Sequence, residues 1–142
     1  LRKSYNSNTS IRRMTIEQYT EELKQIQQYL EIEVSDNPEE YAERIRTLAV
    51  YMARSGQMLA DAKRLYNEKM HSEMLQLIRQ LTKEHGVSMG VQNALAKACA
   101  SDEQHLVDWC ERVNKSCTHQ IEAMRSLLSM EKEQLRIAKT GY

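Results

Sequence analysis

From Pro38 to Glu84 the chain contains one proline, at the first position, and one glycine, Gly56. Apolar residues recur there every third or fourth place. A breaker-free stretch with that period has little choice but a long helix. Its start is marked by Asn37 as N-cap, Pro38 at the first helical position, and Glu39 and Glu40 at the positive end of the dipole. Within it, Ile45 to Tyr66 carries two apolar stripes. Ile45, Leu48, Met52, Leu59, Ala62 and Tyr66 form a bulky one, and Ala49, Ala53, Gly56 and Ala60 a small one about 100° round the axis. Two apolar faces predict a central helix with two neighbours, the small stripe admitting a close backbone. On that reading a large side chain at Gly56 would disrupt packing. In heptad terms Tyr41, Leu48, Ser55 and Ala62 form one row and Ile45, Met52, Leu59 and Tyr66 the other.

The remaining segments read as two more helices. Thr15-Ile16-Glu17-Gln18 has the form of a capping box, and Ile16, Tyr19, Leu23, Ile26 and Leu30 follow at helical spacing. This predicts a helix over 15–34, with alternating Leu30 to Val34 as its frayed end. Gly86 suits a left-handed C-cap and Ser88 an N-cap, so the central helix ends near 84 and a third runs over 88–139. Ser101-Asp102-Glu103-Gln104 could cap a fresh helix, which leaves a kink or break near 101 open. Four glycines and one proline in 142 residues leave little material for turns. The expected fold class is all-α: a long antiparallel, coiled-coil-like hairpin, with the shorter N-terminal helix packing on one end to make a three-helix bundle. Residues 1–14 form a basic polar arm before a single helical domain over 15–142. With the turn at Gly86-Val87, facing residues add to about 174. The hairpin from Met70 to Asp102 then lacks a third helix. Its seam of Met70, Met74, Ile78, Leu81, Val91 and Leu95 predicts self-association.

Candidates for chemistry are few. No Gly-rich phosphate loop, CxxC, HExxH or GxSxG occurs. Cys99, Cys110 and Cys117 align on one helical line and read as small core residues; spread along one helix, they stand too far apart to share an ion. Glu68-x-x-His71 and Asp102-x-x-His105 have the carboxylate-histidine spacing of di-iron bundles but lack inward companions. His119 pairs with Glu122 as an ordinary surface pair. No catalytic residue, metal or other cofactor is expected. A net charge of zero argues against a wholly basic nucleic-acid binder but leaves local patches open. Arg12 and Arg13 in the arm, with Arg125, Lys132 and Arg136 on the third helix, are the candidate nucleic-acid contacts. No run of 18 apolar residues occurs, so no membrane span is expected, and without a signal segment the expected location is cytoplasmic.

Two blocks, Leu48 to Gly56 continuing through Ala60 to Lys63, and Leu106 to Cys110 continuing through His119 to Leu127, resemble small all-helical proteins of phages and mobile elements. In size and layout the chain is similar to the recombination mediators of T-even phages. That resemblance implies an oligomeric helical protein associated with single-stranded DNA. The expectation is a non-enzymatic, self-associating interaction or assembly protein acting through its helix surfaces. The alternative is an oligomeric single-stranded-DNA-binding accessory factor in phage-type recombination or replication.

Overall fold

A computed structural model describes residues 13–141. Five helices follow in order: α1 (Ile16–Leu30), α2 (Pro38–Met70), α3 (Glu73–Glu84), α4 (Met89–Cys99) and α5 (Ser101–Thr140), with no strand among the described residues. The predicted caps form. The Thr15 hydroxyl accepts from the Gln18 N–H while the Gln18 side chain accepts from the Thr15 N–H, and Asn37 accepts from the Glu39 N–H. Gly86, at φ 70°, closes α3 in a Schellman turn: the Val87 N–H donates to Thr82 O and the Gly86 N–H to Lys83 O. Ser88 then caps α4.

Three predicted boundaries change. The first helix ends at Leu30 rather than 34, because the last carbonyls of α1 are taken by side chains of α2 and α5. The helix expected over 38–84 breaks at His71–Ser72. Ser72 is extended, at φ −65° and ψ 152°, and its hydroxyl accepts from the Leu75 N–H. The helix expected over 88–139 is likewise interrupted, at Ala100, which ends α4 and starts α5 beside the position left open near 101. The two breaks lie opposite one another, so α3 and α4 form a separate tip beyond the long α2–α5 pair.

The core is built by α1, α2 and α5. Tyr19, Leu23, Ile26 and Leu30 pack with Leu48, Met58 and Ala62 and with Leu106, Cys110, Val113 and Cys117. Each large apolar side chain so buried contributes about 1.5–3 kcal/mol. α1 runs antiparallel to α2, with the Tyr19 hydroxyl donating to Asp61 (2.9 Å) and Arg54 paired with Glu22 (2.7 Å). At its other end Arg44 donates to the carbonyls of Tyr29 (3.2 Å) and Leu30 (3.3 Å) and to Gln120 Oε1 (2.9 Å). Gln120 itself donates to Leu30 O (2.9 Å). A buried cation thus closes the negative end of α1.

The small stripe is not covered by a helix, and only Gly56 comes beside one, at Asn114 of α5. Ala49, Ala53 and Ala60 are exposed and Gly56 is half-buried. The buried line on α2 is Tyr41, Arg44, Leu48, Ser55, Met58 and Ala62. The heptad row of Tyr41, Leu48, Ser55 and Ala62 therefore faces inward, while Met52 of the other row is 36% exposed. The cause is polar. Asn114 of α5 donates to Met52 O (2.9 Å) and to Ser55 Oγ (3.1 Å), which fixes both rotation and register. This pairing lies about one turn from the register expected with the hairpin turn at Gly86-Val87. Cys110 and Cys117 are buried as expected, but Cys99 is exposed, because the Ala100 break takes it off the α5 line. Desolvation pushes the Cys110 thiol up to about 11 and raises Cys117 as well.

Three measurements test this packing. A Cβ at Gly56 would meet only Asn114 Nδ2, at 3.6 Å. Gly56→Ala should therefore add up to about 1 kcal/mol of stability through helix propensity, seen as a higher melting temperature; a fall would put a close neighbour at the stripe. Glu73 follows an extended residue at the first position of α3, so Glu73→Pro should leave helicity and stability unchanged. A helix running through 38–84 would instead lose about 3 kcal/mol or more. The Arg54 hydrogen bond holds the Glu22 carboxyl below the usual glutamate range against an opposing desolvation. A depressed native value adds stability above the unfolded value and loses it as pH falls. Acid unfolding should begin in the glutamate range, and Glu22→Gln should flatten that limb by under about 1 kcal/mol, both partners being about a third exposed; an identical limb would remove the pair from the account.

Candidate interaction surfaces

Large apolar side chains meet water at the far end of α5, where Met130, Leu135 and Ile137 are exposed, and in greater number at the tip. α3 turns Leu75, fully buried, inward with Ile78 and Thr82 half-buried. α4 turns Gln92 and Ala96 inward, and the Gln92 amide donates to Val87 O (2.8 Å). Left outside are Met74, Leu77 and Leu81 on α3, and Val91 and Leu95 on α4, from 42% to 56% exposed. At about 100° per residue, Met74, Leu77 and Leu81 lie within about 60° of one another, as do Val91, Leu95 and Ala98. Both stripes are displaced in the same rotational sense from the inward line of their own helix. Reversing the second helix therefore carries them to the same side of the tip. One contiguous apolar face results.

The six seam residues predicted from sequence separate on this geometry. Met74, Leu81, Val91 and Leu95 lie on the exposed face, Ile78 is turned toward α4, and Met70 is half-buried at the end of α2. Leu77 belongs to the face and was missed, because a step of four from Met70 through Met74 to Ile78 skips it. A step of three from Met74 to Leu77 is the signal that finds it. The seam that joins α3 to α4 is Leu75, Ile78, Gln92 and Ala96, of which the seam read from sequence held only Ile78.

The predicted nucleic-acid residues are not brought together. Arg12 lies outside the described residues. Arg13 pairs with Glu68 (2.9 Å) beside the end of α2. Arg125, Lys132 and Arg136 lie along one exposed face of α5, with Lys139 in line. They stand at the opposite end of the α2–α5 pair, about 35–55 Å away by helical rise. Arg136 is already paired with Glu133 (2.6 Å).

His71 Nδ1 lies 2.8 Å from Asn67 O, at the end of α2, and the His105 ring stands 5.8 Å from Trp109. The groove between α1 and α5 is lined by Ile16, Thr20, Lys24, Asp102 and His105 among others. No group of three or more His, Cys, Asp or Glu among the described residues is placed to hold a metal ion. No helix there is long and apolar enough to cross a membrane. In comparisons with known proteins, no family model, curated protein or solved structure matches the chain.

Proposed function

We propose that the chain is a non-enzymatic, self-associating helical protein of phage or mobile-element type. In this reading a long antiparallel hairpin becomes a three-helix bundle where α1 joins it, and the tip is the association module. The observation that carries the reading is the apolar face of Met74, Leu77, Leu81, Val91 and Leu95 on one side of α3 and α4. Its occupant is a second copy of the chain. α4 is apolar around most of its circumference, with Lys97 as its only charged residue, a pattern that belongs to an interior helix. Ala94 and Ala98 on its outer edge are exposed and small enough to admit another helix closely. Burying a half-exposed apolar side chain removes on the order of 80 Å² from water, so the five from each copy remove about 800 Å², and Ala94, Ala98 and the flanking residues bring the area toward the roughly 1,000 Å² of a specific interface. Two tips packed face to face about a two-fold axis make a four-helix cluster, with each stripe its own complement.

A second reading, an oligomeric accessory factor on single-stranded DNA, is favoured by the alignment of Arg125, Lys132, Arg136 and Lys139 on the exposed end of α5.

Sedimentation or light scattering tests the first reading. The chain should run as a dimer or larger, and the triple change Leu77→Lys, Leu81→Lys, Leu95→Lys should give a monomer of unchanged helicity. A wild-type monomer at high concentration would refute self-association, and an unaltered oligomer in the variant would move the interface off the tip.

A further inference from the structure

The side of the tip opposite the apolar face has its own character. Arg79 and Lys83 on α3 and Lys97 on α4 are displaced from the inward lines in the other rotational sense, by about a quarter turn. The reversal that gathers the apolar stripes therefore gathers these three cations as well. All three are exposed, and none forms an ion pair with a described residue. Gln76 and Asn93, both exposed amides, share the side. From Met74 to Ser101 the only carboxylate is Glu84, and its position places it on the outer edge of α3, away from the cations. Elsewhere the helices lace cations with acids at one-turn spacing, as in Arg64–Asp61, Lys115–Glu111 and Arg136–Glu133. A chain of zero net charge has thus kept one surface of its tip positive.

We infer that this basic side of the α3–α4 tip, formed by Arg79, Lys83 and Lys97, is a contact surface for the phosphate backbone of single-stranded nucleic acid. The three charges spread over about 10 Å of hairpin length by helical rise, a span of two or three successive phosphates. No aromatic side chain accompanies them, so the surface reads charge and spacing rather than bases. The apolar and basic sides point in opposite directions. A dimer joined through the first would carry the second on both outer surfaces, giving six cations along one assembly. This rests on the nucleic-acid reading and deepens it by adding the tip to the α5 cations as a phosphate contact.

Fluorescence anisotropy with a labelled oligothymidylate tests it on the full chain. The wild type should bind at low salt, with an affinity that falls linearly against salt on logarithmic axes. The triple variant Arg79→Gln, Lys83→Gln, Lys97→Gln should keep its helicity and oligomeric state. Its salt slope should drop by about 2, because each phosphate neutralised on a single strand adds about 0.7 to the slope. A matched variant at acid-laced positions, Lys63→Gln, Arg64→Gln, Lys115→Gln, should bind as the wild type does. If the tip variant keeps the wild-type slope while Arg125→Gln, Lys132→Gln, Lys139→Gln loses it, the nucleic-acid reading survives and this surface is overturned. If the wild type fails to bind at low salt, both fall together.

Discussion

The arrangement depends on how α1 is finished. A helix end leaves carbonyls without partners, and a buried one costs about 1–3 kcal/mol if left so. Here Arg44 from α2 and Gln120 from α5 supply the donors for Tyr29 and Leu30. The guanidinium also stands 4.6 Å from the Tyr29 ring centroid, and that ring meets Tyr51 edge-on at 5.1 Å. One buried cation therefore ties all three core helices at a single level, and its charge opposes the negative end of the α1 dipole. Arg44 Nε remains buried without a partner, so the junction is not fully satisfied. Its worth lies in position: once α1 is pinned there, Tyr19, Leu23 and Ile26 fall onto Leu48, Met58 and Cys110.

A second polar contact decides which way α2 faces. Ser55 is fully buried, and Asn114 reaches across from α5 to it and to Met52 O. The Ser55 hydroxyl also donates to Met52 O (3.1 Å), so a rotation of α2 that put Ala53 at the interface would strand the Asn114 amide rather than the serine. The chain therefore exposes a run of alanines and buries a serine and an arginine. Apolar periodicity ranks faces by hydrophobicity alone, so it chose the wrong flank. The row containing Tyr41, Leu48, Ser55 and Ala62 was visible as a heptad row, yet its serine gave no hint of the asparagine 59 residues away that satisfies it.

The paired breaks make the tip a unit. At His71–Ser72 and Ala100 the two long helices stop at the same level, and beyond them two short helices have little to bury against. Leu75, Ala96 and Ala100 are enclosed, while larger side chains are left in water. Such a module has a choice of sides, and its sequence gives one side apolar chains and the other basic ones. The two proposed activities, association and phosphate binding, thus occupy opposite surfaces of the same short hairpin and do not compete.

The sequence by itself determined the helices and most of their ends. Caps and breakers act within four residues, so Thr15, Asn37, Gly86 and Ser88 can be read directly. The all-α class and the exposed apolar tip followed from the same local period. Tertiary structure decided the rest: the rotation of α2, the early end of α1, the exposure of Cys99, and the sorting of Met74, Leu77 and Ile78 between face and seam. Each of these turns on a polar group or a kink answered by a residue far along the chain. A helical period fixes which residues share a face; only the partner across the interface fixes where that face points.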